Sequence, residues 1–191
     1  MSAPYSLRLF TPAGGNLGAL TDYAGFALAY GQGVVGVCTV TLGNKWKTAQ
    51  AFPPYTRLEV WRSVGGITYL EGERIWYLLD QADYRDAQGR QLQQLTFYDA
   101  NYILAHRYIL AAAESAEADK TDNADDMIKD IVKETIGSEA TAARQVTGLT
   151  IAADNAAATS ITKAFHGRRV IDILNEVCAQ ARDNEIGRAH V

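Results

Sequence analysis

The chain has 191 residues, of which 48% are hydrophobic, and it carries a formal net charge of −4 with an isoelectric point near 5.4. A chain of this size can bury the core of one domain, or of one domain and part of a second. The weakly acidic balance and the lack of a Lys/Arg stripe disfavour sequence-specific nucleic-acid binding. No segment approaches the roughly 20 apolar residues of a membrane anchor, and the N-terminus lacks a secretory signal, so synthesis in a cytoplasm is expected.

Short strands separated by turns are predicted over the N-terminal half of the chain. Residues 5–11 alternate apolar and polar side chains, and a turn at residues 12–16 leads to a second short strand near residues 17–23. The β-branched segment 34–42 is expected to be the most buried strand. Gly36 within it indicates a bulge or the close approach of another backbone segment.

A loop with two prolines follows. Pro53 and Pro54 exclude a central strand. Trp46, Phe52 and Tyr55 are predicted to be exposed in this loop, where they could form a contact surface for a partner protein. Alternatively, these side chains anchor the loop to the rest of the domain, which is the favoured interpretation.

Two hairpins are predicted next. Residues 57–62 place Leu58 and Val60 on one face, turn at Gly65 and Gly66, and return as a strand that is expected to break after Leu70.

Residues 74–84 carry the longest β signal, and a turn at residues 86–89 joins them to a strand at 90–98. Regularly spaced short strands of this kind indicate a barrel or a sandwich.

The spacing of apolar residues changes near Asp99 from that of a strand to that of a helix. Asp99 is a suitable N-cap for a helix that runs through His106 and Leu110 to about Glu114. This helix is expected to cover one end of the sheet. Residues 115–123 are small, acidic and polar, and they predict a mobile linker at a domain boundary.

A second helix is predicted from its cap at Asn123 to Ile136, where Gly137 ends it. Its core-facing stripe consists of Met127, Ile128, Ile131 and Val132. Strands are expected at residues 148–152 and 160–165, and an amphipathic helix follows Gly167. The fold class is therefore α+β, with an N-terminal antiparallel β-barrel or sandwich followed by a mixed α/β region. We assign residues 1–110 to the first domain, 111–123 to the linker and 124–184 to the start of the second domain.

The last residues, 185–191, have no pattern of their own. Reverse-translated as GAG ATC GGA AGA GCA CAC GTC, they resemble a common sequencing-library adapter read in frame. The expectation is that this tail is not native, that His190 has no evolved role, and that the second domain is truncated.

A search for catalytic chemistry finds little. His106, His166 and His190 are isolated and lack zinc-ligand spacing, and there is no nucleophile elbow. Residues 14–18 are glycine-rich but lack the Lys-Ser/Thr of a phosphate loop. Cys38 and Cys178 are expected to be buried thiols rather than a disulfide or a metal site.

Charged clusters also have ordinary interpretations. Asp122, Asp125 and Asp126 lack the spacing of a calcium loop and favour helix capping. Arg168 and Arg169 could meet an anionic ligand, but solvated arginines at a helix start are the favoured interpretation. The sequence predicts no catalytic, cofactor or metal site, and we expect that the chain is not an enzyme.

The order of several passages resembles the tail hub, or minor tail, proteins of siphophages and prophages. The similar passages are Tyr5-Ser6-Leu7-Arg8-Leu9-Phe10, Gly36-Val37-Cys38-Thr39-Val40-Thr41-Leu42, Leu58-Glu59-Val60-Trp61-Arg62 with Gly65-Gly66, Ala124-Asp125-Asp126-Met127-Ile128-Lys129-Asp130-Ile131-Val132, and Gly167-Arg168-Arg169-Val170-Ile171-Asp172-Ile173-Leu174. The alanine-rich and acidic segment 115–123 departs from the pattern of this family, which puts the junction between the domains in doubt.

The resemblance implies a structural protein of the virion tail, made in the cytoplasm of a bacterial host. Such a protein would assemble as a ring, with a trimer favoured, and would link the tail tube to fibre or spike proteins. It implies no catalytic residue and no cofactor. Two alternatives stay open: a carbohydrate-binding module that uses Trp46, Trp61 and Trp76 as sugar platforms, and the N-terminal part of a tail-associated lysin.

Overall fold

The structure is a computed structural model that describes residues 5–31, 33–43, 52–109, 118–146, 149–154, 158–165 and 167–189, the last of these by backbone alone beyond residue 182. The chain divides into two compact units, residues 1–102 and 103–191, which are described separately. The first unit is antiparallel β and the second mixes helices with short strands. The α+β class is therefore confirmed.

A curled, seven-stranded antiparallel sheet makes up the first unit, with the strand order β2-β1-β5-β6-β7-β4-β3. Its strands are β1 Tyr5–Phe10, β2 Asn16–Leu20, β3 Tyr23–Ala29, β4 Val37–Gly43, β5 Arg57–Val64, β6 Ile67–Arg85 and β7 Gln91–Asp99.

The curl of the sheet follows from one short connection. β2 and β3 lie at the two ends of the strand order, yet only Thr21 and Asp22 separate them along the chain. Because an extended residue spans at most ~3.6 Å, this link brings the two ends of the sheet together. The sheet therefore bends into a half-barrel around its core.

The core fills the inside of the half-barrel and follows the alternation of the strands. Cys38, Val40 and Leu42 of β4 are fully buried, as expected for this strand, although β4 begins only at Val37 and Val34 is 54% exposed. The remaining core side chains are Leu7, Leu9, Leu20, Phe52, Leu58, Val60, Trp76, Leu78, Leu95 and Phe97.

Gly36 lies just before β4 rather than inside it, and side chains approach it closely. Its carbonyl accepts a hydrogen bond from the backbone N–H of Asp99 at 3.2 Å. A Cβ atom at this position would lie 2.8 Å from Oδ2 of Asp99 and 3.0 Å from the ring of Trp76. The expected close approach of another backbone segment is therefore confirmed by the backbone of Asp99, and the side chains of Trp76 and Asp99 also crowd this position.

The predicted helix near Asp99 is much shorter than expected. Helix α1 spans Ala100–Ala105, and the Asp99 carboxylate accepts a bond from the backbone N–H of Asn101 at 3.2 Å. The chain then forms strand β8, Tyr108–Ile109, so the expected helical continuation is wrong there. Residues 110–117 lie outside the described part of the chain.

The second unit contains two small antiparallel ribbons and two helices. β8 pairs with β11, Arg168–Arg169, and β9, Ala118–Asn123, pairs with β10, Ser160–Phe165. Helix α2 spans Ala124–Ile136, helix α3 spans Val170–Ala189, and a short 3₁₀ turn lies at Ala142–Arg144.

Two expectations for this unit are corrected. Residues 118–123 were expected to be a mobile linker, but they form β9, because the backbone groups of this polar segment find partners on β10. Residues 149–152, where a strand was expected, form no regular element, and Gly148 lies outside the described residues. The strand predicted at residues 160–165 is confirmed.

Helix burial follows the predicted stripes. Met127 and Ile131 of α2 are buried, as are Val170, Ile173 and Val177 of α3. Asn123 occupies the N-cap position of α2, but its side chain makes no capping bond, and the first N–H of the helix instead donates to Thr159 O at 3.1 Å. Among the described helices, none is both long enough and apolar enough to cross a bilayer.

Replacing Gly36 with alanine should destabilise the first unit by about 2 kcal/mol, because the new methyl group would overpack against Asp99 and Trp76. Gly43, at the other end of β4, is a matched control, since no atom of the described residues lies within 4 Å of its Cβ position. Urea unfolding should show a lower midpoint for Gly36→Ala and almost none of this loss for Gly43→Ala. Equal midpoints for the two variants would contradict the packing described.

The two cysteines should differ in reactivity. Cys38 is fully buried, and burial raises the pKa of its thiol to about 12, whereas Cys178 on α3 is exposed, contrary to expectation. A thiol reagent at neutral pH should modify one thiol rapidly in the native protein and the second only in denaturant. A Cys178→Ser variant should therefore be unreactive until it is unfolded.

Candidate interaction surface

The most conspicuous surface feature of the first unit is a hairpin that projects from the sheet. We call residues 62–70 the hairpin arm. The pairing of β1 with β5 ends at Arg62, and the pairing of β7 with β6 ends at Trp76, so beyond these points the two arm strands pair only with each other among the described residues.

The hairpin arm is apolar and uncharged toward its tip. Residues 63–70 contain no ionisable side chain apart from the phenol of Tyr69. Val64, Ile67 and Tyr69 are 51%, 70% and 40% exposed. A two-stranded hairpin is only marginally stable in water, and edge strands are usually protected by charge or proline. The composition of this arm is therefore typical of a surface that a partner covers.

A large bulge fixes the base of the hairpin arm. Glu59 pairs with Ile75 and Trp61 pairs with Leu70, so residues 71–74 of β6 all lie opposite Val60. The expected break of this strand after Leu70 is wrong, because β6 continues through the bulge. The prediction failed because positive φ residues can form a bulge within a strand as well as a turn between strands.

Two consecutive residues of the bulge have left-handed backbone conformations, with φ of 62° at Gly72 and 51° at Glu73. Glycine is needed at position 72 for a second reason. A Cβ atom there would lie 2.9 Å from the ring of Tyr30. The ring of Tyr30 packs against the bulge in place of a side chain at Gly72.

Tyr30 also holds the bulge by a hydrogen bond. Its hydroxyl donates to Oε1 of Glu71 at 2.6 Å, and the other oxygen of Glu71 lies 3.8 Å from the guanidinium of Arg62. The hydrogen bond to Glu71, with burial as a second cause, raises the pKa of Tyr30 above its ordinary value of 10.0. This bond joins the loop after β3 to the base of the hairpin arm.

A second set of polar contacts lies between the bulge and the end of β7. The Arg74 guanidinium forms an ion pair with the carboxylate of Asp99, which is 2% exposed, and donates to Gly31 O at 2.8 Å. The side chain of Asn101 donates to Val34 O at 2.8 Å. Together these contacts connect the bulge, the end of β7 and the loop before β4.

A cleft of about 550 Å³ lies beside β6 at the point where β7 ends. We call it the edge groove. It is lined by residues that include Gly33, Gly72, Glu73, Arg74, Asp99 and Asn101. The hairpin arm continues from it toward the tip.

The proline loop lies at the other end of β5. Tyr55 N donates to Leu78 O at 2.7 Å, and Leu78 N donates to Thr56 O at 2.9 Å, so the loop covers the edge of β6 next to the start of β5. The side chain of Gln81 donates to Phe52 O at 2.7 Å.

The predicted contact surface of this loop is only partly present. Phe52 was expected to be exposed, but it is 4% exposed, because its ring packs into the hydrophobic core of the half-barrel. Tyr55 is 52% exposed and has a left-handed φ of 65°. Trp46 lies outside the described residues. Loop anchoring is therefore the better interpretation for Phe52, and a contact role for Tyr55 stays a prediction.

The other tryptophans are poor sugar platforms. Trp76 is fully buried. Trp61 donates its indole N–H to Glu59 at 2.8 Å, and the guanidinium of Arg8 lies 4.9 Å from the centre of its ring. Trp76 therefore has no free aromatic face on which a sugar could stack, and Arg8 covers one face of Trp61.

The charged clusters found in the sequence form internal ion pairs. Arg168 contacts Glu176 at 2.6 Å, and Arg169 contacts Asp172 at 2.8 Å. Lys129 lies 3.4 Å from Asp125 and 3.0 Å from Asp126. Within the part of the chain that the structure describes, no three His, Cys, Asp or Glu side chains come together to hold a metal ion.

No family model matches the sequence, and no curated protein sequence matches it.

Replacing Tyr30 with phenylalanine should destabilise the first unit by about 1 kcal/mol at neutral pH, because the variant removes a hydrogen bond to a carboxylate. Since the folded-state pKa of Tyr30 is raised, its contribution is fully present below pH 10.0 and is lost as the pH rises through the raised value. The difference in urea midpoint between the wild type and Tyr30→Phe should therefore shrink at alkaline pH. A constant difference would contradict the assignment.

Proposed function

We propose that this chain is a structural subunit of a bacteriophage tail tip. In this proposal it assembles as a hub ring, with a trimer favoured, that links the tail tube to fibre or spike proteins. The protein would act by assembly rather than by turnover. Its site in the cell would be the virion tail, after synthesis in the cytoplasm of a bacterial host.

The hairpin arm is the observation that carries the proposal. Val64, Ile67 and Tyr69 expose apolar surface on residues 63–70 of the hairpin arm, which carry no charged side chain, and exposure of apolar surface to water is unfavourable. A ring subunit needs surfaces of this kind at its contacts with neighbours. A carbohydrate-binding module would instead need free aromatic faces, but Trp76 is fully buried and Arg8 covers one face of Trp61.

The positions of the passages that resemble tail hub proteins also support the proposal. Leu58-Glu59-Val60-Trp61-Arg62 forms most of β5 and runs into the hairpin arm, and Gly36-Val37-Cys38-Thr39-Val40-Thr41-Leu42 forms β4 with the glycine before it. In this proposal the half-barrel is the β-barrel or sandwich domain of a tail hub protein.

Tyr69→Asp should weaken assembly, because a charge in the middle of the hairpin arm would have to be desolvated at the contact. Tyr84→Asp is a matched control, since Tyr84 lies on the same strand and is 41% exposed, against 40% for Tyr69. Light scattering after gel filtration, with electron microscopy of the peak, should show rings for the wild type and Tyr84→Asp and at least a tenfold loss of rings for Tyr69→Asp.

A chain that stays monomeric at all concentrations, and that does not join co-expressed products of its neighbouring genes, would overturn the proposal. Genes for a tape measure and other tail proteins beside this one would support it, and their absence would count against it.

A further inference from the structure

The side of β6 that faces the edge groove carries unpaired backbone. β7 pairs with β6 as far as the Trp76–Asp99 pair and then leaves the sheet as α1. From there toward the arm tip, no described strand pairs with this side of β6. Residues 67–70 thus present a free strand edge rich in β-branched and aromatic residues.

The path that β7 leaves is flanked by apolar side chains. Ile67 and Tyr69 are exposed on the hairpin arm. Tyr30 and Val34 are 41% and 54% exposed in the loop before β4, whose Gly33 lines the edge groove. An extended segment that followed this path would pair with the edge of β6 and cover part of this apolar surface. Both features favour a β-strand as the occupant.

The charge of the edge groove gives the occupant its chemistry. Among the described residues, Glu73 and Asp99 are the acidic side chains that line the groove, and Glu71 lies next to them in the bulge. Glu71 has Tyr30 as its partner and Asp99 has Arg74. Glu73 lines the groove, and among the described residues no basic side chain forms an ion pair with it. A strand that enters the groove would therefore bind more tightly if it placed a lysine or arginine beside Glu73.

We propose that the edge groove and the adjacent edge of β6 bind an extended segment of a partner protein by strand addition. The part of the partner segment that pairs with residues 67–70 of β6 is uncharged, and a basic residue of the same segment reaches Glu73. A strand that continues the path of β7 runs antiparallel to β6, so the basic residue lies at the N-terminal end of the segment. This inference rests on the proposed assembly function and names the chemistry of one partner.

The test uses the full chain labelled with ¹⁵N and a blocked octapeptide, Lys-Thr-Val-Thr-Val-Thr-Val-Thr, as the probe. Titration to millimolar peptide should shift the amide signals of residues 67–70 and of Glu73, and should slow hydrogen exchange along residues 67–70. The same peptide with glutamate in place of lysine should bind about threefold more weakly, in line with an exposed ion pair.

Charge exchange makes the test specific. Glu73→Lys should weaken binding of the lysine peptide about threefold and strengthen binding of the glutamate peptide about threefold. Asp80→Lys is the matched control, since Asp80 is an exposed carboxylate on the same strand outside the residues that line the groove, and it should leave the preference unchanged.

Three outcomes would overturn the inference: shifts confined to other strands, no shift at millimolar peptide, or a peptide preference that Glu73→Lys does not alter. A fourth is protection of residues 67–70 that rises with protein concentration without peptide, because a second copy would then occupy the edge. Ring assembly is measured separately, so rings without peptide binding would refute this inference and leave the proposed function standing.

Discussion

The ion pair between Arg74 and Asp99 is the contact on which the projecting part of the first unit depends. Asp99 is the last residue of β7, and Arg74 is the last residue of the bulge in β6. The same carboxylate caps the backbone of α1, and the same guanidinium holds the carbonyl of Gly31. One buried pair thus sets where β7 leaves the sheet and where the hairpin arm begins.

A nearly buried carboxylate is stable only if its partners replace water. Asp99 has the Arg74 guanidinium and the backbone N–H of Asn101. The packing of Trp76 against Gly36 excludes solvent from the other side. Removing Arg74 alone would leave an uncompensated charge, which costs more than removing the pair as a whole. The pair therefore specifies the geometry of the bulge more than it adds to overall stability.

A similar arrangement joins the ribbon of β9 and β10 to the helices of the second unit. Lys120 and Lys163 lie directly opposite each other, where two like charges would repel. Lys120 binds Glu134 of α2 at 2.6 Å, and Lys163 binds Glu176 of α3. Burial works to lower the pKa of Lys120, but Glu134 outweighs it and the pKa is raised, while Lys163 lowers the pKa of Glu176.

The sequence by itself determined the elements whose signal is local. Alternation identified β5 and β7, glycine pairs and an Asp-x-x-Gly turn identified the hairpins, and the stripes of Met127 and Ile131 identified α2. Tertiary structure decided the rest, because the deciding partners are distant along the chain. Glu71 and Gly72 are predicted to end a strand, because the sequence does not show that Tyr30 packs on them. Phe52 is predicted to be exposed, because the sequence does not show that its ring belongs to the core of the half-barrel. Residues 118–123 have the composition of a linker, and their partner strand lies far along the chain at residues 160–165. Pairing between backbone groups does not require the alternating apolar side chains by which a strand is predicted from sequence.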